Sequence, residues 1–457
     1  MAKDLEKRIC IIGGGPAGLS QAMYLEKEGY YNYSIIEKDG EVGGKCHSPH
    51  YKGKRYETGA VMGVDSYFSV MDVMKFCGDE GKELQGPPLG GQGQARKANG
   101  KVYDPFNPKN PKYLPRMIKT KKQVKKWASL MEGKYKGYDI NGHRGVCEGR
   151  YEGFLADGSD NWVEGENENL KDLALPFKEF CELNGIEHVQ DVLMAPFISF
   201  GYGYYDEIPA AYVLKYLDVH TAMRFLNGDL WTWKDGTQSI WESLNDHLKH
   251  PARLNSYISK VERKDDKVFV TVNGEVEEYD CIIITAPLQF MDEYFDATPE
   301  EKELFSKIDY ERYDVVGCVL EDGYPDKSGY IYENMTPKRL GNMILYYSRW
   351  RDEPDQVITA YCIRNHRDKG VKDYEECKQK VLKDMETCGM KVKDIEYQNS
   401  WYYFPHVFSE DYKNGWYEKV EAMQGQKNTY YAGEIMAFGD MEEVAEYSKS
   451  VVHRFFK

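Results

Sequence analysis

Residues 8–38 read RICIIGGGPAGLSQAMYLEKEGYYNYSIIEK, and this stretch decides the fold. The residues after Arg8 form an apolar run that stops abruptly at glycines, which is typical of a buried parallel strand ending in a tight turn. We expect a helix next, because Pro16 suits a first helical turn and apolar residues then recur at three- and four-residue spacing up to Gly29. A second strand, Tyr33–Ile36, ends directly before an acidic residue.

The glycines of this stretch follow the pattern G-x-G-x-x-G. Between a strand and a helix this spacing is typical of a dinucleotide site. The first glycine allows the turn, the second lets backbone approach a pyrophosphate, and the third lets the helix pack closely on the strand. Glu37, at the carboxyl end of the second strand, is placed to accept both hydroxyls of an adenosine ribose. The nucleotide contacts predicted here are Gly13, Gly15, Ala17, Gly18, Glu37 and Lys38.

Composition argues against several other classes of protein. The chain has 457 residues and a formal net charge of -15, whereas a nucleic-acid-binding face normally shows a basic excess. No apolar run reaches the roughly 18 residues of a membrane span, and the first residues, MAKDLEKR, lack an apolar signal core, so we expect a cytoplasmic protein. Ten cysteines occur without a C-x-x-C pair or a His/Cys cluster of metal spacing, so we expect reduced thiols and no metal site.

Later segments return the chain to the nucleotide unit. Tyr279–Pro287 is a further buried strand, and it follows two strands, Tyr257–Val261 and Val268–Val272, around a charged hairpin. Thr429–Glu434 places a short strand before a glycine and an acid, and a helix is predicted from Met441 to Phe456. We therefore predict a discontinuous nucleotide-binding domain built from residues 1–75, 228–290 and 410–457.

Two glycine-containing segments resemble those of the flavin amine-oxidase superfamily. Gly43-Gly44-Lys45 follows the ribose-binding acid, and TYYAGE at 429–434 is similar to the superfamily's C-terminal flavin motif. The resemblance implies FAD. We expect non-covalent FAD, since no cysteine follows Cys388, and no nicotinamide domain, since no second G-x-G-x-x-G follows a strand. The further FAD contacts predicted are Gly44, Lys45, Gly59, Ala60, Trp233, Val261, Gly433 and Glu434.

Two segments in the middle of the chain differ in charge. Residues 109–126 carry eight basic residues and no acidic one, with apolar residues at roughly helical spacing. Two interpretations stay open: a basic amphipathic helix in peripheral contact with an anionic membrane or an anionic amphiphile, and a solvated helix with a core-facing stripe. The insertion at about 145–170 is acidic, rich in Gly and Asn and aperiodic, so we predict a mobile surface loop.

Aromatic residues are concentrated between Pro196 and Phe225. Together with GDLWTWKDGTQ at 228–238 and WYYF at 401–404, this segment carries little charge, which indicates a long apolar cavity. The alternative is that these side chains fill the core. The substrate contacts predicted are Phe197, Phe200, Tyr202, Tyr212 and Tyr403.

Six blocks in order make the resemblance more specific. They are GGKCHSPHYKGKRYETGAVMGV, FGYG, IPAAYVLKYLD, GDLWTWKDGTQ, WYYFPHV and YYAGEIMAFG. Together they resemble the bacterial FAD-dependent double-bond isomerases of polyunsaturated fatty acids, which make conjugated linoleic acid. The resemblance implies that flavin N5 takes a hydride from the bis-allylic methylene of linoleate and returns it to an end of the allylic system. We expect a conjugated product of the trans-10,cis-12 type and no net redox change.

Two site residues are predicted from this resemblance. Phe225 matches an aromatic residue that positions the substrate near the flavin, and otherwise belongs to the core of its helix. Family members carry an Arg soon after a GP-x-L segment to hold the fatty-acid carboxylate. Here that segment is present at 86–89 but glycines follow it, so Arg96 is the first candidate, with Lys97 and Arg116 as alternatives.

The predicted architecture is α/β. It combines an amine-oxidase-like Rossmann-type FAD-binding domain, a mixed-sheet substrate domain over residues 76–105 and 291–409, and a helical cap domain over 106–227. The predicted function is isomerisation of a free polyunsaturated fatty acid. One alternative is an amine oxidase that uses oxygen, which needs an aromatic cage that Trp401, Tyr402 or Tyr403 would provide. The other is a flavoprotein or lipid carrier that binds fatty acid without turnover.

Overall fold

The computed structural model describes residues 4–85, 93–105, 111–136, 149–154, 160–164, 169–351, 353–366 and 369–457. The GP-x-L segment at 86–89 and the first two residues of the basic segment, 109–110, lie outside the described residues.

The α-helices of the described residues alternate with short and long strands. The helices span Pro16–Lys27, Phe68–Phe76, Leu114–Glu132, Leu170–Leu173, Phe177–Asn184, Val189–Ile198, Ala210–Tyr216, Val219–Asn227, Gln238–His247, Pro299–Phe305, Tyr374–Thr387, Ser409–Lys413, Trp416–Ala422 and Met441–Phe455. The strands span Ile9–Ile12, Tyr33–Ile36, His50–Tyr51, Lys54–Arg55, Glu83–Gln85, Gly93–Arg96, Gly149–Phe154, Asp160–Glu164, Trp231–Trp233, Ile258–Lys264, Lys267–Val272, Glu275–Tyr279, Cys281–Ile284, Asp309–Leu320, Ser328–Ile331, Leu345–Tyr347, Ile358–His366, Lys369–Gly370, Val392–His406 and Thr429–Tyr431.

A four-stranded parallel sheet forms the nucleotide unit. Ile9–Ile12 lies between Tyr33–Ile36 and Cys281–Ile284, and Thr429–Tyr431 forms the far edge. Every residue of Ile9–Ile12 is buried, as expected for a strand covered on both faces. The four strands come from all three segments predicted for the nucleotide domain, and the predicted Rossmann-type α/β fold class is confirmed.

Two helices cover this sheet and depend on small residues where they meet. Pro16–Lys27 packs against the C-terminal helix Met441–Phe455. At their contact the hydroxyl of Ser448 donates a hydrogen bond to the carbonyl oxygen of Ala17 at 3.1 Å. The end of the chain therefore holds the first helix in place beside the glycine loop.

A larger mixed sheet forms the second layer. In spatial order its main strands are Val392–His406, Asp309–Leu320, Ile358–His366, Leu345–Tyr347, Ser328–Ile331 and Gly93–Arg96. The last pair is parallel and the others are antiparallel, so the predicted mixed sheet is confirmed. One face joins the main core, and the other is covered by the helix Tyr374–Thr387 over a separate apolar cluster.

The cap is helical between residues 169 and 227. Its last helix, Val219–Asn227, begins where the side chain of Asp218 accepts the N–H groups of His220 and Thr221. It contacts the helix Val189–Ile198, which in turn contacts Leu114–Glu132. No helix within the described ranges has both the length and the apolar composition that crossing a bilayer requires.

The acidic insertion contains regular structure where the sequence predicted a loop. Gly149–Phe154 and Asp160–Glu164 form an antiparallel hairpin in which Tyr151 pairs with Trp162 and Arg150 with Val163. Aromatic and β-branched residues favour strands, and here they outweigh the acidic, Gly-rich composition that indicated a loop. Two paired strands thus lie within the predicted mobile loop, and its mobility and the domain boundaries stay predictions.

Candidate active site

The first glycine loop requires glycine at two of its positions. Gly13 has a φ of +108°, which favours glycine, and a Cβ on Gly18 would lie 1.9 Å from the carbonyl oxygen of Gly13. Gly15 is the N-cap of the helix Pro16–Lys27, and no side chain of the described residues caps that helix. Its first backbone N–H groups and the positive end of its dipole are therefore available to an anion.

Glu37 lies beside this loop, as predicted for a ribose-binding acid. It is buried, with 8% exposed, and its carboxylate accepts the N–H of Gly14 at 2.7 Å and the N–H of Asp39 at 2.8 Å. These bonds fix the carboxylate at the end of its strand. The neighbouring Lys38 extends into solvent and pairs with Asp39.

A second glycine loop lies against the first. A Cβ on Gly44 would lie 3.3 Å from the Cα of Gly15. Lys45 Nζ pairs with the Glu434 carboxylate at 2.5 Å, and Gly433, just before that acid, has a φ of +115°. The ion pair joins the second loop to the segment that follows the last strand of the nucleotide sheet.

These loops form a cradle that larger side chains would fill, and the cradle fits FAD. A Cβ on Gly59 would lie 1.8 Å from the carbonyl oxygen of Lys45, and the N–H of Ala60 donates to the same oxygen at 3.0 Å. The loop at 13–18 would hold the pyrophosphate, Glu37 the ribose, and the segments around Gly44, Gly59 and Glu434 the rest of the cofactor.

Two predicted FAD contacts lie elsewhere in the structure. The N–H of Val261 donates to the carbonyl oxygen of Tyr294 at 2.6 Å, and its own carbonyl accepts the N–H of Asp296 at 3.1 Å. Its backbone is therefore used in a bridge to a neighbouring segment. Trp233 is buried, donates its indole N–H to the sulfur of Met74 at 3.4 Å, and lies 3.2 Å from the position of a Cβ added to Gly63.

A cavity of about 60 Å³ adjoins the cradle. The cradle and the cavity share Gly59 and Ala60, and Tyr403, on the cavity wall, lies under Lys45 Nζ at 5.4 Å from its ring centroid. The wall combines both layers and the cap. Its residues are Gly59, Ala60, Val61, Met62, Tyr67, Phe200, Tyr202, Tyr216, Tyr313, Leu345, Tyr361, Tyr403, Gly439, Asp440 and Met441.

The cavity wall is close to neutral. Burial raises the pKa values of Tyr67, Tyr202 and Tyr216 well above the usual range of tyrosine, so their hydroxyls stay protonated. Asp440 is the acidic side chain on the wall, and burial, followed by the charge of Glu443, raises its pKa to about 8. Its carboxyl also caps the C-terminal helix by accepting the N–H of Glu443 at 2.8 Å.

The structure separates the predicted substrate contacts into two groups. Phe200, Tyr202 and Tyr403 line the cavity. Phe197 is fully buried among other aromatic rings of the core, and Tyr212 exchanges a hydrogen bond with the Tyr417 hydroxyl at 2.5 Å, away from the cavity wall. Both are core residues because their helices turn them towards packed side chains rather than towards the cavity.

Phe225 lies directly behind the cavity wall. Its ring centroid is 5.9 Å from that of Phe200 and 6.1 Å from that of Tyr216, and both of these residues line the cavity. The helix Val219–Asn227 thus brings Phe225 to the cap side of the cavity, where its aromatic contacts support the wall.

Sequence reasoning missed the part of the wall contributed by the large sheet. Tyr313, Leu345 and Tyr361 lie on three neighbouring strands and point to the same face. The rings of Tyr313 and Tyr361 stack at 5.5 Å. The signal in the sequence was the alternation of residues along each strand, but which face meets the cavity depends on long-range pairing.

A buried ion pair connects the cradle to the large sheet. Arg349 donates to the Glu57 carboxylate at 2.8 Å, and both side chains are completely buried. Glu57 also accepts the Ser48 hydroxyl at 2.5 Å and the N–H of Thr237 at 3.1 Å. Burial raises the pKa of Glu57, and Arg349 partly offsets this shift. The network fixes the segment that leads into Gly59.

A second buried cluster connects the cap to the large sheet. His366 hydrogen-bonds Glu311 at 2.5 Å through Nδ1 and Glu207 at 2.6 Å through Nε2. Burial alone lowers the pKa of His366, but the hydrogen bonds and charges of the two glutamates outweigh it and raise the pKa to about 9. The imidazolium therefore holds the turn that follows Phe200 and Tyr202 against the sheet.

Arg96 lies on the far face of the large sheet. It pairs with Ile331 in the parallel ladder, and its guanidinium lies over the ring of Tyr346 at 5.6 Å. It donates to the carbonyl oxygen of Gly100 at 2.7 Å. Tyr346 and Ile331 belong to the apolar cluster under the helix Tyr374–Thr387, whereas Leu345 faces the cavity. Strand alternation therefore directs Arg96 away from the cavity wall.

The aromatic cage of the amine-oxidase alternative is only partly assembled. Tyr403 lines the cavity, whereas the indole of Trp401 donates to the carbonyl oxygen of Thr58 at 2.9 Å. Tyr402 is 44% exposed and lies under the guanidinium of Arg312 at 3.8 Å, so it cannot pair with Tyr403 across a substrate.

One buried group of described residues has the side chains of a metal site. Ligand atoms of Asp314, Cys362 and Cys377 lie within 4.8 Å of one another. Spacing along the chain could not reveal this group, because its members come from two strands and a helix. The Asp314 carboxylate already pairs with Arg364 at 2.8 Å, which neutralises its charge, so we assign no metal to it.

Comparison with known proteins gives consistent results. A family model described as flavin containing amine oxidoreductase matches residues 16–444. Among solved structures, a CLA-producing fatty acid isomerase from P. acnes is 47% identical, covers 100% of both chains and has a TM-score of 0.90. A putrescine oxidase bound to putrescine covers 98% of both chains at 14% identity, with a TM-score of 0.68, which shows the fold alone.

A curated relative matches this chain over a smaller part of both sequences. The polyenoic fatty acid isomerase of Ptilota filicina is 24% identical over 347 residues, which are 71% of this chain. The chain spans 65% of the length of that protein.

Proposed function

We propose that this chain, which belongs to the family of flavin-containing amine oxidoreductases, is an FAD-dependent isomerase of free polyunsaturated fatty acids. The substrate we infer is linoleic acid, and the product we infer is conjugated linoleic acid of the trans-10,cis-12 type. The enzyme transposes a carbon–carbon double bond and uses FAD without net redox change.

The observation that carries the proposal is the neutral, aromatic cavity beside the FAD cradle. An acyl chain needs an apolar channel that excludes water, and aromatic rings stabilise positive charge that develops on an allylic carbon through their quadrupoles. A cationic amine would instead need fixed negative charge, and burial raises the pKa of the wall's Asp440 to about 8. The full-length similarity to a CLA-producing fatty acid isomerase supports the same conclusion.

Bound FAD supplies a group that can accept a hydride from the fatty acid and give it back. The side chains of the protein position the acyl chain and exclude water. Phe200, Tyr202 and Tyr403 contact the substrate across the cavity wall, and Phe225 supports Phe200 from behind. Because the hydroxyls of the wall stay protonated, they offer no base that would divert the reaction to proton abstraction.

Anaerobic turnover tests this proposal. The FAD-loaded protein is incubated with linoleic acid without oxygen or nicotinamide, and absorbance of the conjugated diene is followed. We expect the diene band to grow in proportion to enzyme, and Gly18→Ala protein, which should not retain FAD, serves as the control. Absence of the band overturns the isomerase assignment, and peroxide formed from amines in an aerated sample would move the chain to the oxidases.

The setting of the reaction is part of the proposal. We infer a cytoplasmic enzyme that takes free fatty acid and meets the membrane peripherally through the basic segment. The eight basic residues of the segment 109–126, which has no acidic residue, support the membrane contact.

A further inference from the structure

The surface helix Leu114–Glu132 has two chemically different faces. Its inward face buries Thr120 and Trp127 against the cap. Its outward face exposes Leu114, with 46% exposed, and Ile118, with 63% exposed, one helical turn apart. Large aliphatic side chains with this exposure, side by side on one helix, form a small apolar surface that no described residue covers.

Lysines continue the same outward face. Lys121, Lys122 and Lys125 follow Ile118 at three, four and seven residues, and all three are exposed. Among the residues that the structure describes, none of these lysines forms an ion pair, whereas Arg116 on the flank is paired with Asp191. In a chain with a net charge of -15, this face carries positive charge that no acidic side chain of the described ranges pairs with.

The helix is held to the cap in a fixed orientation. The guanidinium of Arg116 binds the Asp191 carboxylate with two bonds, at 2.9 and 2.5 Å. The side-chain oxygen of Gln123 accepts the N–H of His188 at 2.6 Å. These partners lie at the start of the helix Val189–Ile198, and the chain continues from that helix to Phe200 on the cavity wall. One helix therefore links the outward face to the cavity.

We propose that the outward face docks on an anionic lipid bilayer. It consists of Leu114, Ile118, Lys121, Lys122 and Lys125. The aliphatic pair enters the interface between headgroups and acyl chains, and the lysines attract anionic headgroups. A nucleic acid would use the lysines and leave the aliphatic pair in water, so the combination favours a bilayer. This docking deepens the peripheral membrane contact proposed above and rests on that proposal, and its benefit is that free fatty acids partition into bilayers.

Vesicle sedimentation with the FAD-loaded full chain tests the docking. The probes are phosphatidylcholine vesicles with and without phosphatidylglycerol. We expect binding to the anionic vesicles only, released by high salt, because the Debye length falls to about 3 Å at 1 M. Lys121→Gln, Lys122→Gln and Lys125→Gln together should weaken binding about 100-fold, at about fivefold for each lysine near an anionic surface.

Two further variants separate this face from general charge. Leu114→Ser with Ile118→Ser should weaken binding about tenfold, since it removes apolar area that enters the interface. The matched control, Lys260→Gln, Lys264→Gln and Lys393→Gln, removes the same charge from exposed strand positions elsewhere and should bind like the parent protein. Equal loss in the control, an unaffected serine variant, or no binding by the parent protein each overturns the proposal.

Turnover of dispersed linoleic acid is measured in parallel. All variants should form the diene at the parent rate when no vesicles are present, because no residue of the outward face lines the cavity. A parent protein that forms no diene would remove the proposed function, while the vesicle result would still decide the docking.

Discussion

The FAD cradle and the adjoining cavity share Gly59 and Ala60 but are built in different ways. The cradle depends on backbone: a Cβ on Gly18 would lie 1.9 Å and one on Gly59 1.8 Å from a carbonyl oxygen, so no side chain fits at these positions. The cavity wall depends on side chains from the loops, the cap, the large sheet and the C-terminal helix. A backbone site is determined by spacing within one short segment, whereas a side-chain site is determined by how distant segments pair.

The largest expected effect is in the cradle. Gly18→Ala places a Cβ 1.9 Å from the carbonyl oxygen of Gly13, a backbone atom that cannot move without distorting the loop. We expect loss of bound FAD and a fall of about 3 kcal/mol in the free energy of unfolding. Flavin absorbance after gel filtration measures the first, and urea unfolding the second.

The control for this variant is Gly40→Ala in the same region. There the nearest heavy atom, Oδ1 of Asn255, is 3.5 Å from the added Cβ, so FAD should be retained. A Gly18→Ala protein with a full complement of FAD would show that the cradle tolerates side chains and that the contrast with the cavity is misplaced.

The next effect concerns the ion pair that joins the two regions. Arg349→Met leaves the completely buried Glu57 carboxylate without its cation, and we expect a loss of about 3 to 5 kcal/mol in the free energy of unfolding. The double variant Arg349→Met with Glu57→Gln removes both charges. It should lose less than Arg349→Met alone, because no uncompensated charge remains.

Urea unfolding of the two single variants and the double variant gives the coupling energy between these side chains. Additive losses would mean that the pair does not act as a unit, and the cradle and the sheet would then be held together by other contacts.

The strand, glycine loop and helix of the cradle could be predicted from the sequence for the reason that the comparison gives. Gly13, Gly18 and Glu37 lie within one strand–helix–strand unit, and their roles follow from local geometry. Nothing local placed Tyr313 and Tyr361 on the cavity wall, because a slip of one residue in strand pairing would turn both to the other face. Phe197 shows the same limit: composition identified an aromatic segment, and the fold decides which of its rings line the cavity.

A smaller, pH-dependent effect is expected on the cavity side. The pKa of His366 is raised to about 9 in the folded chain, above its usual 6.5. Stability from the imidazolium is therefore fully present below pH 6.5 and is lost as the pH rises towards 9, by on the order of 2 to 3 kcal/mol. Urea unfolding from pH 6 to about 9.5 measures the loss.

His366→Gln is the matched variant, since glutamine can still hydrogen-bond one of the two glutamates, Glu207 or Glu311. It should be less stable than the parent at pH 6. It should also show a flatter pH dependence, because glutamine does not titrate. Parallel curves for the two proteins would contradict the assignment of this slope to His366.

The smallest effect on activity is expected at Arg96, on the face of the sheet that the cavity does not use. Its guanidinium binds the carbonyl oxygen of Gly100 and lies over Tyr346, so Arg96→Ala should lower the free energy of unfolding by about 1 to 2 kcal/mol. The KM for linoleic acid should stay within about twofold, since the side chain is not on the cavity wall.

Arg96→Lys, which keeps the charge, is the control. A KM raised tenfold or more by Arg96→Ala and restored by Arg96→Lys would place the carboxylate at this side chain. The division of the sheet into a cavity face and a packed face would then need revision.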